Sequence, residues 1–282
     1  MLKLGKKNRR PRGHAAELQA VLGQAEVPTF PASVMRSLEV LRSPDSAATD
    51  VAAILGMDPG LTVRLLKLVN SAGYSPARPV TSVDQAVAVA GFAAVESLVL
   101  SVGVTTILPN TRVEGYEPSQ FWRAASRRAT IARAFADELH PATASLSFTA
   151  GLLQDMAIPL LAVARKDYRP LLIEWHNGGD DLHRLEAETF SWAHGEVAEW
   201  LCLQWDLPAD LSQAISGHHD VGSKLVPAGV QLAAPLREQE RPEIFDLVVD
   251  RARDEFGLET DLVVTLIERA TNDAHDVARL FV

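Results

Sequence analysis

The spacing of the apolar residues constrains the fold of this chain more than any other feature. From about Glu17 onward, apolar side chains recur every three or four positions, which places them on one face of an α-helix. Runs of β-branched residues bounded by hairpin turns, which would indicate strands, are nearly absent. Hydrophobic residues make up 47% of the 282 positions, enough to bury one or two substantial cores. The sequence therefore predicts an all-α protein without a sheet.

Capping residues mark several helix ends in the first half of the chain. Asp58 precedes Pro59, so its carboxylate can accept hydrogen bonds from free backbone N–H groups while the proline sits at the first helical position. Residues 82–85 form a capping-box pattern that predicts the start of the next helix. Gly91 predicts a turn into a further helix, and that helix should end before Pro109.

The segment 109–118 is the candidate junction between two packed helical lobes, because it combines Pro, Gly, Asn and charged residues. We assign residues 1–15 to a basic tail, 16–110 to an N-terminal helical lobe and 116–282 to a second helical lobe. In the second lobe, helical spacing predicts helices at 121–139, at about 147–156 with a kink or restart at Pro159, and at about 182–190, 194–204, 208–218, 225–236, 243–256 and 260–280.

Charge is distributed unevenly along the chain. The net charge is −9, but the segment Lys3–Arg12 carries six basic residues and no acid, which leaves −15 for the remainder. An acidic body is a poor DNA binder, because affinity for phosphate comes from clustered Lys and Arg. The basic tail is either a solvated, disordered N-terminus or a contact for an acidic partner, RNA or anionic lipid.

The sequence favours a cytoplasmic protein. Cys202 is the only cysteine, so neither an intrachain disulfide nor a cysteine-based zinc cage can form. The uncharged stretches 85–95 and 97–111 are too short to cross a bilayer alone. The first residues lack the apolar region and cleavage site of a secretory signal, so we expect no export.

Three of the eight histidines occur where a site is conceivable: His194, His218 and His219. His218 follows the apolar stripe of its helix and should point inward. A single inward histidine is more often a hydrogen-bonded core residue than a metal ligand. His219 is rotated by about 100° around the helix and can line the same cleft without chelating as an i, i+4 pair. Trp200 and Trp205 are expected to pack in the core.

Four segments, at residues 27–41, 57–74, 148–162 and 193–220, together resemble an HDOD domain, a bacterial regulatory relative of the HD-domain metal-dependent phosphohydrolases. The resemblance covers about residues 24–236. It is carried by Asp58-Pro59, by Asn70-Ser71, and by the segment 205–219, which contains Trp205, Pro208 and His218-His219. It implies an all-α fold in which an N-terminal lobe is fused to an HD-like lobe. Asn70 and Ser71 are expected to form a structural hydrogen-bonding cap.

The resemblance also implies where the metal ligands of an HD site would lie. HD enzymes use a histidine on the first helix, a His-Asp doublet and a later aspartate, because two divalent ions need imidazoles and carboxylates to activate water. The matching positions here are Ala124, with a slip of one to Ala125, then Gln154-Asp155, and finally Ala234. Only the carboxylate of Asp155 is retained, so we expect a degenerate site with no metal and no cofactor.

Four residues of such a site remain: Asp155, His194, His218 and His219. The histidines resemble those of the HD-GYP phosphodiesterases, but the four residues do not reconstitute that site. If any metal binds, these four would hold it. Otherwise Asp155 should lie within hydrogen-bonding distance of at least one of the histidines or of a bridging water, in a structural polar cluster.

Two classes of function follow. The first is a non-enzymatic regulatory adaptor in bacterial signal transduction that binds partner proteins. The alternative is a metal-dependent phosphohydrolase of nucleotides or cyclic dinucleotides, or a nucleotide-binding sensor. A hydrolase would need replacement ligands, for which Asp220, Glu186 and His176 are the candidates.

Overall fold

The chain folds into helices alone within the part that the structure describes. The structure is a computed structural model that describes residues 12–23, 25–71, 76–178, 181–237 and 242–281. Of the described residues, 72% are helical. The described residues contain no strand beyond an isolated antiparallel bridge between Val113 and Tyr116. The all-α prediction is therefore confirmed.

The helices fall on both sides of the segment 108–117, which contains no helix. Six α-helices of the described residues precede it: α1 Arg12–Leu22, α2 Ala32–Arg42, α3 Ala48–Leu55, α4 Pro59–Val69, α5 Val83–Ala90 and α6 Phe92–Ile107. Ten described helices follow it: α7 Pro118–Leu139, α8 Ala144–Leu153, α9 Ala157–Ala164, α10 Arg169–His176, α11 Leu182–Phe190, α12 His194–Gln204, α13 Ala209–Ser216, α14 Ala228–Ala233, α15 Pro242–Phe256 and α16 Thr260–Ala278.

The helix ends follow the capping signals, with one change of partner. Asp58 Oδ1 accepts a hydrogen bond from Leu61 N at 3.0 Å. Ser82 Oγ accepts from Gln85 N at 3.5 Å, but Gln85 Oε1 accepts from Thr81 N at 2.9 Å rather than from Ser82. Gly91 lies between α5 and α6 and has a φ of 83°. Positive φ values are costly for other residues, which explains why a glycine occupies this junction.

Asn70 and Ser71 serve as the structural cap that the sequence predicted. The Asn70 amide forms two hydrogen bonds with the backbone of Val80, one donated by Nδ2 and one accepted by Oδ1, each of 2.7 Å. Ser71 Oγ donates to Leu68 O at 2.7 Å. These contacts tie the end of α4 to the segment that leads into α5.

Helix α7 organises the second lobe, because it packs against α8, α14 and α16. The lobes share one apolar core, in which α6 of the first lobe packs on α8 of the second. A second cluster surrounds Ile131 and Phe135 of α7, and its other members come mainly from α14, α15 and α16. Helix α8 therefore packs against helices of both lobes.

The first helix differs from the sequence assignment. It begins at Arg12, so residues 12–15 are helical although the sequence placed them in a basic tail. Helix α1 packs on α9 and α12, and Leu18 and Leu22 are buried in the shared core. This packing stabilises a short helix that is marginal in isolation. Residues 1–11, with most of the predicted basic tail, lie outside the described residues.

Two helices predicted in the second lobe are shorter than expected, or interrupted. The predicted helix 225–236 is limited to α14, Ala228–Ala233. The predicted helix near 147–156 ends at Leu153, and a turn separates it from α9, whose third residue is Pro159. Proline is tolerated there because the first helical turn has no intrahelical N–H bonds to lose.

One helical stretch, Pro141–Ala164, is long and apolar enough to span a membrane by length and composition, and Asp155 interrupts it. Within the described chain, 89% of its most apolar window is buried inside the protein. Its apolar side chains are thus used in the core.

The close approach of α14 to α7 generates a stability prediction. A Cβ added at Gly229 would lie 2.1 Å from Ala132 O, against backbone that cannot move independently. Gly229→Ala should destabilise the protein by roughly 1–3 kcal/mol or more, as overpacking does. Gly60→Ala is the matched control, because its Cβ would meet only the side-chain oxygen of Asp58 at 3.3 Å. Urea denaturation measures both, and equal stabilities would contradict the packing argument.

Candidate functional site

The residues singled out by the sequence meet at the ends of helices in the second lobe. Asp155 lies in the turn between α8 and α9, and His194 is the first residue of α12. His218 and His219 lie in the turn after α13. The apolar face of α13 points inward and carries His218 with it, so this side chain is only 3% exposed. We use the name polar cluster for the following six residues: Arg128, Asp155, Glu186, His194, His218 and His219.

Asp155 is a buried carboxylate with a cation on one side and imidazoles on the other. Its Oδ2 lies 2.8 Å from Nη2 of Arg128. Its Oδ1 lies 3.4 Å from His218 Nε2 and 3.5 Å from His194 Nε2, so the expected contact with the histidines is present. Burial opposes ionisation, but the charge of Arg128 and the contacts with both histidines hold the pKa of Asp155 well below its usual range.

Glu186 orients His194. The Glu186 side chain is fully buried, and its Oε2 accepts from His194 Nδ1 at 2.6 Å and from the His194 backbone N at 2.7 Å. The Tyr168 hydroxyl donates to Oε1 of the same carboxylate. Since a carboxylate only accepts, Nδ1 of His194 carries a proton and the Nε2 atom faces the other histidines. Carboxylates hold metal-binding histidines in the same way in known metal sites.

The Nε2 atoms of the three histidines converge. His194 Nε2 lies 3.3 Å from His218 Nε2 and 3.1 Å from His219 Nε2. His218 Nδ1 donates to Ile215 O at 2.7 Å, so its Nε2 has a lone pair in the neutral form. Converging lone pairs repel one another unless a proton or a metal ion lies among them.

A proton on His194 meets this requirement. Burial lowers the pKa of His194, but the charge and hydrogen bond of Glu186, together with Asp155, outweigh burial and raise it to about 9. Burial and the neighbouring histidines lower the pKa of His219, so His219 stays neutral and can accept from His194. With His194 charged, two cations and two carboxylates balance within the polar cluster.

The donor set also has the dimensions for one metal ion. Bonds of about 2.0–2.1 Å around a tetrahedral ion place ligand atoms about 3.3–3.4 Å apart. The distances among the three Nε2 atoms and Asp155 Oδ1 that are given above, 3.1–3.5 Å, include this value. One ring nitrogen from each of His194, His218 and His219 lies within 4.8 Å of the others, a set that can hold a single ion, and Asp155 Oδ1 lies beside two of these histidines.

The positions of a second ion's ligands do not fit. Gln154 Nε2 donates to Ala234 O at 3.3 Å, so the residues at the doublet-histidine and late-aspartate positions contact each other. Ala124 lines a cavity beside Asp155, whereas Ala125 is fully buried in the core, so Ala124 is the position that faces the site. None of these side chains can coordinate an ion strongly.

Arg128 and Tyr168 are site residues that sequence reasoning missed. Arg128 lies one turn after Ala124 on the inward face of α7, and this i, i+4 spacing was a usable signal. Glu186 had been considered as a replacement ligand, but it contacts Nδ1 of His194 rather than the converging Nε2 atoms. The other two candidates do not join the polar cluster, since Asp220 is exposed and His176 lines the cavity.

The residues of the 205–219 segment outside the polar cluster are structural. Trp205 Nε1 donates to Pro28 O at 2.8 Å, and its ring packs 5.5 Å from that of Phe30. Pro208 immediately precedes α13. Trp200 is 5% exposed and lies in the shared core, as expected. Trp205 thus fixes the end of α12 to the segment between α1 and α2.

Comparison with known proteins places this architecture in a family. A family model described as the HDOD domain matches residues 27–221, well over half of the chain. An uncharacterized protein from Treponema pallidum (strain Nichols) is 26% identical over 201 residues, which are 70% of this chain and 38% of that protein. The chain thus spans less than half of the length of that relative.

Solved structures share the fold at low identity. A candidate phosphohydrolase from Shewanella amazonensis SB2B has a TM-score of 0.71 at 21% identity, over 95% of this chain and 98% of that chain. An HDOD domain protein of unknown function from Geobacter sulfurreducens has a TM-score of 0.71 at 22% identity, over 96% and 98%. A candidate signal transduction protein from Marinobacter aquaeolei VT8 has a TM-score of 0.68 at 18% identity, over 98% and 67%.

The raised pKa of His194 predicts how stability depends on pH. The folded protein holds this proton up to about pH 9, whereas the unfolded chain releases it near 6.5. The stabilisation is complete below pH 6.5 and is lost as the pH rises through 9, an effect on the order of a few kcal/mol. The lowered pKa values of His183 and His219 change the folding stability only below pH 6.5, outside this window.

Urea denaturation in EDTA at pH 6.5–9.5 measures this effect. His194→Gln should flatten the decline, and Glu186→Gln should flatten it as well if the first variant folds poorly. His176→Gln is the control, because His176 lies outside the polar cluster and should leave the decline unchanged. A wild-type stability that stays constant from pH 6.5 to 9.5 would contradict the assignment of the proton to His194.

Proposed function

Because the chain belongs to the HDOD family, we propose that it is a regulatory protein of signal transduction that binds partner proteins and does not hydrolyse phosphate esters. The proposal is supported by the way in which Asp155 is neutralised. In an HD enzyme, divalent ions neutralise the doublet aspartate and activate water. Here the guanidinium of Arg128, 2.8 Å away, neutralises Asp155 instead.

An arginine cannot replace a catalytic ion. The guanidinium donates hydrogen bonds but offers no open coordination position at which water could be bound and deprotonated. Arg128 is also anchored on its other side, since Nη1 donates to Leu236 O at 3.2 Å. Gln154 and Ala234, at the doublet-histidine and late-aspartate positions, supply neither an imidazole nor a carboxylate for a second ion.

The proposal extends to cofactors, partners and location. We propose that the protein works without a cofactor or metal, in the cytoplasm, and that its acidic body does not bind DNA. A protein without catalytic output transmits a signal by changing what it binds, which makes a regulatory protein partner the natural target. The basic tail, as an additional contact for an acidic partner, RNA or anionic lipid, remains a prediction.

A metal-dependent phosphohydrolase is the second candidate, and one observation favours it. Ring nitrogens of the three histidines lie within 4.8 Å of one another, and Glu186 orients His194 as carboxylates orient metal-binding histidines. If an ion binds there, Asp155, His194, His218 and His219 would hold it, and it would supply an activated water. The two candidates therefore differ in metal binding and turnover.

Hydrolysis assays decide between the two candidates. With Mn²⁺, Mg²⁺ or Zn²⁺ present, we expect turnover of bis(p-nitrophenyl) phosphate and of a cyclic dinucleotide to equal the background without protein. We also expect these ions to leave the melting temperature unchanged. An ion that bound the folded state would raise it. Metal analysis of the protein as purified should find less than one ion per ten chains.

Asp155→Asn and His219→Gln are the matched variants for these assays. His219 is only partly buried, so its replacement should leave the fold intact, which circular dichroism checks. Metal-dependent turnover that both variants abolish would overturn the proposal and establish the hydrolase. An ion-dependent rise in melting temperature that is lost in His219→Gln, without turnover, would overturn the metal-free part alone.

A further inference from the structure

A cavity of about 440 Å³ opens beside the polar cluster. It lies between the segment 115–117, helix α7, helix α10 and the residue Arg237, and it shares Asp155 and Arg128 with the polar cluster. The three clustered histidines do not line it. Its volume is within the range of sites that enclose small organic ligands. Neither the proposed adaptor function nor the polar cluster requires such a space.

One wall of the cavity is apolar and aromatic. Phe121 of α7, Ile158 of α9, and Leu172 and Trp175 of α10 contribute to it. The guanidinium of Arg237 lies 4.3 Å above the ring of Trp175, and its Nη1 donates to Trp175 O at 3.0 Å. A flat ring could pack against such a wall, because aromatic surfaces favour stacking and edge contacts.

Two arginines of the cavity wall can donate hydrogen bonds to an anion. The two carboxylates of the cavity are already engaged, Asp155 by Arg128 at 2.8 Å and Glu117 by Arg112 at 3.0 Å, and Arg112 is not among the lining residues. Arg237 and Arg128 both line the cavity, and the charge of Arg128 is paired with that of Asp155. Arg128 is 2% exposed, and its Nε has no hydrogen-bond partner in the described protein. A buried N–H without a partner costs free energy that a ligand's acceptor could recover.

His176 adds a neutral polar group to the rim. Its Nδ1 donates to Leu172 O at 2.7 Å, so its Nε2 is left as an acceptor. Burial lowers the pKa of His176, which keeps this acceptor uncharged at neutral pH.

We propose that this cavity binds a small organic anion that carries a flat ring, with the ring against Trp175 and Phe121 and the anionic group toward Arg237 and Arg128. A nucleoside monophosphate and an aromatic carboxylate share this chemistry. The site goes beyond the proposed function, because it gives the regulatory protein an input that is separate from its protein partner. It requires neither a metal ion nor the converging histidines.

Isothermal titration calorimetry in EDTA tests the proposal on the full chain. The probes are AMP and GMP for a phosphate, and indole-3-acetate for a carboxylate. Adenosine and inorganic phosphate are the controls that lack the anion or the ring. We expect at least one probe to bind with a Kd at least tenfold lower than that of either control, and the arm that binds identifies the anionic group.

Two substitutions locate the site. Arg237→Gln removes the cation, and Ala124→Met fills the cavity from α7; each should weaken the binding probe at least tenfold. Arg253→Gln removes an exposed arginine of α15 outside the cavity and should change the Kd less than twofold. Melting curves confirm that each variant folds, and Arg237→Gln carries the test if Ala124→Met does not fold.

The proposal is overturned if no probe binds at millimolar concentration, if adenosine or phosphate binds as tightly as the probes, or if both substitutions leave the Kd unchanged. Because EDTA removes divalent ions, these results do not depend on whether the polar cluster holds a metal. The hydrolysis assays described above therefore fail or succeed separately from this experiment.

Discussion

The geometry of the polar cluster depends on the buried ion pair between Arg128 and Asp155. Their side chains are 3% and 8% exposed, so neither charge can be stabilised by bulk water. Removing one partner of such a pair typically costs roughly 3–5 kcal/mol, because the other charge is left buried and alone. The pair joins the middle of α7 to the turn between α8 and α9. Asp155 Oδ1 also lies beside His194 and His218. The position of these histidines therefore depends on Arg128 through Asp155.

Most of the fold could be predicted from the sequence, because local signals and tertiary packing agree along most of the chain. Asp58 marks a helix start through a local hydrogen bond, and Gly91 marks a helix end through its backbone conformation. Neither signal depends on tertiary contacts. Where the prediction differed, a tertiary contact was responsible. Residues 12–15 carry no strong helical signal of their own, yet they begin α1, which is stabilised by packing on α9 and α12.

Only part of the candidate site could be predicted from the sequence. Asp155, His194, His218 and His219 were expected together, and the structure brings them together. Arg128 was missed because arginine on a helix usually lies on the surface, and only a buried acid explains its inward position. Tyr168 and the role of Glu186 were missed for a related reason. Both are defined by their hydrogen bonds across helices, which no spacing along one helix reveals.

Arg128 belongs both to the polar cluster and to the cavity, and this shared membership links the two. An anion held near Arg128 would compete with Asp155 for its positive charge. Asp155 would then depend more on the proton of His194, whose Nε2 lies 3.5 Å away. By thermodynamic reciprocity, a change in the charge of the histidines must change the affinity of the cavity for an anion by the same free energy. His194 is bonded through Glu186 to Tyr168, at the start of α10, and α10 also carries Trp175 into the cavity wall. Arg128, Asp155, His194, Glu186 and Tyr168 thus form a continuous set of contacts from the cavity wall to the start of α10.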